Sequence, residues 1–436
     1  MFNWRKPIIY LLLHISGSKI PQNLSLIKKL DKLSLEEKKK YQDEKLKALL
    51  FHTYKNVPYY TKVLKEAEVI KDNVVVLDNF KNIPLLTKEI IRREGENLYS
   101  KDYKSRKFYE NTSGGSTGEP VRFIQDKSYE DWNNATKIYY KLTAGQNIGD
   151  RELRFWGSER DLLEGKEKLS IRLRNWLYNR REFNTFKMSE KEMLFYVEKW
   201  NKYNPKWIEA YVQSIYEFAK FIEKNNLKIK SPKNGILTSA GTLFPEMKQT
   251  VEKVFKCKVY NRYGSREVGG AAFGNKELNI SYWNQKIELV NPINNIGKIL
   301  ITNLKNYSMP LIRYEIGDIG VDSITWGNIK SISGREMSIF KTKDGKIIPA
   351  EFFIHFIGVV YNNNAISKFQ VIQKEYDKIL IKTVINNINN FNSNKGKIEN
   401  AIRKEMGNDC KINWEFVNDI EPLKNGKYLY TICEIK

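Results

Sequence analysis

The sequence predicts an α/β fold: a large multi-layer N-terminal domain of β-sheets and packed helices, then a small α+β C-terminal domain. Three observations predict it. The 436 residues exceed what one hydrophobic core usually serves, since cores stop growing beyond about 250–300 residues. Strand-like and helix-like segments alternate from Tyr109 to Tyr260, as layered α/β architectures require. After Gly334-Arg335 the alternation restarts in a unit of about a hundred residues, an ordinary size for a small domain. The expected domains are therefore 1–335 and 336–436.

Taken in order, Ser34 with Glu37 forms a capping box that opens a helix, and Leu46, Leu49 and Leu50 recur near helical spacing. That helix ends before Val57-Pro58-Tyr59-Tyr60, and Ile83 to Glu89 reads as a turn followed by a second capped start. A strand, a Gly/Ser/Thr loop and a strand at Val121 to Ile124 follow from Tyr109. Phe195 to Ile222 is helix-rich with a break at Asn204-Pro205, Gly235 to Ser239 is a buried strand, and a helix (Pro245 to Phe255) leads to a strand (Lys258 to Tyr260). Ile280 to Val290 and Gly297 to Thr302 have hairpin character. Beyond Arg335, strands at Phe369 to Gln373 and Ile379 to Ile385 precede a helix (Lys395 to Met406) and a last strand within Tyr428 to Glu434. Asn386 to Asn394 reads as a loop.

Composition narrows the function classes. A 41% hydrophobic and 29% charged chain has the apolar surface for a sizeable core and is not a disordered one. The formal charge of +23 would attract polyanions. However, the cations are spread along the chain without a nucleic-acid motif, so a solvated basic surface and no specific nucleic-acid partner are expected. Cys257, Cys410 and Cys433 are too few and too scattered for a metal knuckle or a disulfide framework, which suits a reducing, cytoplasmic setting. The three histidines, His14, His52 and His355, make Ser/His/Asp catalysis improbable. Arg5 and Lys6 precede Ile8 to Leu13 in a faint likeness to a signal peptide. This run is far shorter than the ~20 residues that span a bilayer, so we read it as a short helix that packs on the domain or touches a membrane surface.

Several segments can carry chemistry. Thr112-Ser113-Gly114-Gly115-Ser116-Thr117-Gly118-Glu119-Pro120 can wrap an anion with main-chain N–H groups and hydroxyls. It lacks the Gly-Lys-Ser/Thr ending of a Walker loop, and a flexible polar turn is the other reading. In Tyr260 to Glu267 an aromatic ring stands beside a tight glycine, with a carboxylate suited to Mg²⁺ three positions on; a surface turn is the alternative. Met309 to Asp318 is an apolar strand leading to Gly-Asp, where one carboxylate could accept two sugar hydroxyls. Arg335 offers a guanidinium for phosphate, and Asn425-Gly426-Lys427 sets a lysine on a tight turn.

The ordered set TSGGSTGEP, YGSRE, RYEIGD, GR and NGK resembles the adenylate-forming ligase superfamily. Within it the chain is similar to the phenylacetate–CoA ligase-like branch, of the CapK type linked to capsular polysaccharide. Val57-Pro58-Tyr59-Tyr60, Pro84-Leu85-Leu86-Thr87-Lys88 and Gly297 to Leu304 add to the likeness, which spans Leu46 to Glu434. The resemblance implies that Thr112 to Gly118 cradle the phosphates of ATP. It implies that Tyr263 with Gly264 and Ser265 lies along adenine, with Ser239-Ala240-Gly241 as another wall. By the same likeness Glu267 ligates Mg²⁺, Asp318 holds the ribose, Arg335 anchors the nucleotide, and Lys427 of a mobile C-terminal lid bridges ATP and a small-molecule carboxylic acid. An acyl-adenylate would form, and the acyl group would pass to an acceptor thiol such as CoA. The likeness also sets Trp156 and Tyr211 where the family has substrate-facing residues, with aromatic core packing as the equal alternative. The hinge here reads Glu336-Met337-Ser338 where the family has Asp or Lys after the arginine. That departure keeps a second acceptor open, an amine or hydroxyl on a glycan precursor. A polyanion-binding protein on a degenerate ligase fold is the competing class, and intact Glu267, Asp318, Arg335 and Lys427 speak against it.

Overall fold

In the computed structural model, residues 3–113, 121–156, 169–185, 188–293, 295–335, 340–343, 347–348, 350–353, 356–358, 361, 365–421 and 429–435 are described. Helices α1 (Arg5–Ile15), α2 (Ile20–Leu30), α3 (Leu35–Asn56), α4 (Pro58–Glu66) and α5 (Lys88–Glu94) open the chain. The Ser34 box caps α3: Glu37 N donates to Ser34 Oγ at 3.3 Å and Ser34 N to the Glu37 carboxylate at 2.8 Å. Pro58 stops α3 yet starts α4, because proline lacks only an N–H that the first helical turn leaves unused. Thr87 caps α5 through Ile90 N, at 3.3 Å. Two short strands, β1 (Ile70–Lys71) and β2 (Val74–Val75), form a small hairpin.

A second hairpin, β3 (Phe108–Thr112) and β4 (Arg122–Asp126), flanks the glycine-rich segment. Among the described residues the main sheet has eleven strands. Its parallel part runs β6 (Arg180–Asn184), β5 (Glu152–Trp156), β7 (Trp207–Tyr211), β8 (Gly235–Ser239), β9 (Val259–Ser265). It then turns antiparallel through β10 (Gly269–Gly274), β11 (Leu278–Ile280), β15 (Asn328–Arg335), β14 (Tyr314–Asp322), β13 (Ile296–Asn303) and β12 (Gln285–Ile293). Between the strands lie α6 (Lys127–Thr143), α7 (Leu169–Leu177), α8 (Glu190–Tyr203), α9 (Val212–Lys224) and α10 (Pro245–Phe255).

The helix-rich stretch from Phe195 to Ile222 therefore contains a strand, β7, that the sequence reading did not separate. Lys258 to Tyr260 extends to Ser265. Met309 to Arg313 is not strand, and Gly317-Asp318 lies inside β14 rather than after it.

Alternation divides the parallel strands. Leu153, Phe155, Ile208, Ala210 and Ile236 pack against Trp200 of α8, Phe218 of α9 and Phe255 of α10. The opposite face turns to α6 and is charged. Glu209 accepts from Arg262 Nη1 at 2.8 Å, Arg154 Nη2 at 3.0 Å and Lys141 Nζ at 3.2 Å. Glu152 accepts from Lys141 Nζ at 2.8 Å and from Arg154 Nε and Arg180 Nε at 3.0 Å. Burial alone would raise the pKa of both carboxyls, but the surrounding cations win: Glu152 is held down at about 2 and Glu209 well below the carboxylate range.

Downstream, β16 (Phe340–Lys341) pairs with β17 (Ile347–Ile348). A four-stranded sheet follows in the order β20 (Lys411–Phe416), β19 (Lys378–Ile385), β18 (Ile366–Glu375), β21 (Thr431–Cys433), covered by α11 (Ile388–Met406). The asparagine-rich stretch is no loop: Asn387 caps α11 by accepting from Asn390 N at 3.0 Å, and the helix begins seven residues before Lys395. The core of this sheet continues onto Val212, Phe244 and Met247, and Gln213 Nε2 lies 3.3 Å from Tyr430 Oη. Among the described residues no helix is long and apolar enough to cross a membrane.

Removing one member of a buried ion group strands its partners, typically at about 3–5 kcal/mol. Glu209→Ala should lower the unfolding free energy by about that much in urea titration, and replacing Glu209 and Arg154 together by Met should recover part of the loss. A Glu209→Ala change within about 0.5 kcal/mol, the scatter for surface sites, would contradict this packing of the sheet.

Candidate functional site

Tyr263 and Asp318 meet although their strands are four places apart in the sheet. Neighbouring strands lie about 4.8 Å apart, so a flat sheet would separate them by about 19 Å. Instead Tyr263 Oη donates to Asp318 Oδ2 at 3.0 Å. The antiparallel half must curl back over the end of β9, which makes a concave face. Asp318 also pairs in register with Arg335 across β14 and β15. Two bulges in that ladder, at Ile319/Gly320 and Val321/Asp322, supply local bending.

Gly264 is required by close approach, not by a turn: it lies within β9, and a Cβ there would sit 2.0 Å from the Gly269 carbonyl oxygen. The turn comes after it and carries Glu267. The Glu267 carboxylate is buried, and its one hydrogen bond among the described residues is a long one from Tyr314 Oη at 3.5 Å. Ser265 Oγ is buried with no partner among the described residues. Buried hydroxyls are normally satisfied, so the Ser265 hydroxyl keeps hydrogen-bonding capacity for a ligand, as does a carboxylate with one long bond.

The β3–β4 hairpin is fixed against that turn. Gln125 Nε2 donates to the carbonyls of Arg266 at 2.9 Å and Glu267 at 3.1 Å, while its Oε1 accepts from Asn111 Nδ2 at 3.1 Å. At the hairpin tip, Ser113 N donates to Val121 O at 2.9 Å and Val121 N to Ser113 Oγ at 3.0 Å. Thr112 pairs with Arg122. Ser113 and Val121, the two ends that border the glycine-rich segment, are thereby tied to each other. Gly114, Gly115, Ser116, Thr117 and Gly118 lie outside the described residues, as do Lys427 and the side chain of Arg335.

The sheet brings Ser239 to a different neighbour from Tyr263. Adjacent residues of a strand point to opposite faces, so Arg262 faces α6 while Tyr263 faces the concave side. Ser239 Oγ accepts from Arg262 Nη2 at 3.2 Å. Beyond it Ala240 has a left-handed φ of +61°, a conformation non-glycine residues hold only when the surroundings enforce it. A Cβ on Gly241 would lie 3.2 Å from Val212 Cβ. On the same face Trp156 and Tyr211 stack at 4.3 Å between ring centroids, inclined by 32°. The two aromatic candidates thus share one spot, at the carboxyl ends of adjacent parallel strands.

Sequence reading missed Gln125, Glu209 and Lys137. Lys137 belongs to an i, i+4, i+8 stripe of α6 with Asn133 and Lys141. Asn133 Oδ1 accepts from Gly270 N at 3.0 Å, and Lys141 binds Glu152 and Glu209. Lys137 therefore faces the sheet between these contacts, beside Arg262 and Glu209. Burial first, then Arg262, pull its pKa down to about 8 against the opposing pull of Glu209. That stripe spacing was the available signal. The site can thus offer an aromatic–carboxylate pair on one side, and a ring pair with cations on the other.

Residues 340–434 match the family model described as the CapK C-terminal domain. Protein CapK of Staphylococcus aureus is 26% identical over 405 residues, covering 91% of this chain and 89% of that protein. Among solved structures, 2-hydroxyisobutyryl-CoA ligase in its postadenylation state with R3-HIB-AMP superposes with a TM-score of 0.70, at 15% identity, covering 92% of this chain and 90% of that one. The same ligase in its thioesterification state, with 2-HIB-AMP and CoA, gives 0.53 at 14% identity, covering 92% and 91%. The O-succinylbenzoate coenzyme A synthetase MenE from Bacillus subtilis, solved with ATP and magnesium ion, gives 0.51 at 12% identity, covering 74% and 68%. The fold is that of the adenylate-forming ligases.

A lysine whose folded pKa is about 8 binds an anion while protonated and releases it once neutral. With a simple monocarboxylate as the probe anion, any binding beside Lys137 would therefore be tightest below pH 8 and weaken as pH rises through that value. Titration calorimetry across this range should show the fall in the native chain and a flat profile in Lys137→Met. An unchanged profile in the variant would remove Lys137 from the binding face.

Proposed function

Taking a CapK-type chain on the adenylate-forming ligase fold as the premise, we propose that this protein uses ATP to activate a carboxylic acid as an acyl-adenylate and then transfers the acyl group. The observation that carries the reading is the Tyr263–Asp318 hydrogen bond across the curled sheet, with the open Glu267 carboxylate and the anchored ends of the glycine-rich segment beside it. A ring, a carboxylate for vicinal hydroxyls, a carboxylate for a hard cation and a backbone anion cradle are the groups that a magnesium nucleotide needs.

In this reading Tyr263, with Gly264 and Ser265, flanks adenine, Asp318 receives the ribose hydroxyls and Arg335 anchors the nucleotide. Thr112 to Gly118 hold the phosphates. Glu267 and the Ser265 hydroxyl, which has no partner among the described residues, fit a cation site, and bound Mg²⁺ would supply phosphate charge neutralisation. The acid carboxylate attacks the α-phosphorus, its oxygen forming the new P–O bond while the bond to pyrophosphate breaks. Both reactants are anions, so Lys427 would offset their repulsion from the C-terminal side. Trp156, Tyr211, Arg262 and Lys137 would receive the acid. The higher likeness to a postadenylation form than to a thioesterification form supports a small sheet docked as for the first half-reaction.

The acceptor in the primary reading is a thiol such as CoA. The CapK relative matches this chain over 91% of its length, and this favours as a second reading an amine or hydroxyl on a surface-polysaccharide precursor. Incubation with ATP, Mg²⁺ and a panel of aliphatic, aromatic and amino acids, with and without CoA, separates the two. Acid-dependent pyrophosphate release is expected in either case, and CoA should accelerate AMP release only if a thiol is the acceptor. No acid-dependent pyrophosphate with any member would sink the adenylation reading.

Hydrogen bonds to a charged group contribute about 1.5–3 kcal/mol. Asp318→Ala should accordingly weaken ATP binding by about 10–100-fold, read as the concentration giving half-maximal pyrophosphate release. Lys427→Ala should retain ATP binding and lose adenylation, and unchanged pyrophosphate release would reassign that lysine.

A further inference from the structure

The N-terminal helix and α7 together present an apolar surface that the proposed reaction does not use. Among the described residues, eight of the nineteen exposed large hydrophobic side chains fall on these two short segments: Trp4, Ile8, Leu11, Leu12 and Ile15, with Leu169, Leu173 and Trp176. Their spacing is regular. Ile8, Leu11, Leu12 and Ile15 follow i, i+3, i+4, i+7, and Leu169, Leu173 and Trp176 follow i, i+4, i+7, so each helix shows one continuous outward stripe. The inward side of α1 is already occupied, since Ile9 is buried and Tyr10 and Leu13 pack on the core beneath α2 and α6. The outward stripe is therefore additional to the packing that holds the helix.

The two stripes meet at one end, through Trp4 and Trp176. Trp4 and Trp176 lie 5.9 Å apart between ring centroids, and the Arg5 guanidinium is 4.4 Å from the Trp4 ring and 5.8 Å from the Trp176 ring. Leu11 is 58% exposed, Ile15 71% and Leu173 62%. A water-facing surface does not ordinarily concentrate such residues, and contiguous apolar patches mark an interaction site.

Charge decides the partner. From Asn3 to Lys19, and from Leu169 to Leu177, the sequence contains no Asp or Glu, whereas Arg5, Lys6, Lys19, Arg172 and Arg174 are cationic. The nearby Asp150 is engaged by Lys206 Nζ at 3.0 Å. Basic residues around exposed Leu, Ile and Trp are the composition of helices that lie in the headgroup region of an anionic bilayer. Tryptophan favours that boundary as well. The eleven residues of α1 make a rod of about 16 Å, too short to span and suited to lying in the plane.

We propose that α1 and α7 form a docking face for the surface of a membrane containing anionic lipid, seating the Ile8/Leu11/Leu12/Ile15 and Leu169/Leu173/Trp176 stripes among the headgroups. The face does not depend on the adenylation reading and stands or falls separately from it.

The test is flotation of the full-length chain with unilamellar vesicles of phosphatidylcholine alone or mixed with phosphatidylglycerol. The chain should float with the mixed vesicles at least about tenfold more strongly than with phosphatidylcholine at low salt, with a blue shift of tryptophan emission. The Leu12→Glu/Leu173→Glu variant should lose about tenfold or more of this binding while keeping the native melting temperature. Arg172→Glu/Arg174→Glu, which leaves the apolar stripes intact, should weaken only the anionic arm, by about fivefold for each cation removed. Absence of flotation overturns the proposal, as does equal flotation of the Leu12→Glu/Leu173→Glu variant. It is also overturned if the lipid-free chain is a dimer that this variant converts to monomer, because the face is then a contact between two copies.

Discussion

Glu209 sits at the centre of the parallel strands with Arg262 on one oxygen and Arg154 and Lys141 on the other. These contacts join β7 to β9, to β5 and to α6 at once. A buried carboxylate so surrounded stays ionised, and so oriented it leaves each cation little freedom. Arg262 is thereby aimed at Ser239, and α6 is held at the height where Asn133 reaches Gly270 N. Gly270 is the second residue of β10, the strand with which the antiparallel half of the sheet begins, so the charged face fixes where the sheet starts to curl. Tyr263 and Asp318 meet because of that curl.

The candidate residues thus fall on two faces of the main sheet. One is the concave side of the curled sheet, with Tyr263, Asp318 and Glu267. The other is the α6 side, with Ser239, Arg262, Trp156 and Tyr211. A reaction between a nucleotide and an acid needs two such compartments in contact at one edge, since proximity and orientation do much of the work in joining two anions. Gln125 links the hairpin to the turn that carries Glu267 through that turn's backbone carbonyls, so this clamp tolerates changes in the side chains of Arg266 and Glu267.

Much of this was legible in the sequence because the relevant chemistry is local. Ser34 and Glu37 are a capping box in any context, and Gly235 to Ser239 is too short and too apolar to be other than a buried strand. The ordered motifs carried Tyr263, Glu267 and Asp318 as a set. What escaped was tertiary. Trp207 to Tyr211 lies between two helices, and its charged Glu209 makes the run look like a solvated break; only the cations of three other elements make burial there tolerable. Lys137 reads as one surface lysine among many until α6 is laid on the sheet. Asn386 to Asn394 has a loop's composition, yet Asn387 is a good helix cap, and Phe391, Ile398 and Ile402 then fall on the buried side of α11. The tight turn expected at Gly264 is a strand crossing another backbone, which sequence cannot distinguish from a turn.

The claim on which the account rests is that segments far apart in the chain surround one nucleotide. Hydrogen–deuterium exchange with and without ATP and Mg²⁺ measures this directly, because amides that gain a ligand or a firmer strand exchange more slowly. Slower exchange is predicted together in residues 108–126, 259–270 and 314–335, with β18 and β19 outside that set. Protection confined to a single one of these segments, or arising elsewhere while all three stay unchanged, would contradict the convergence.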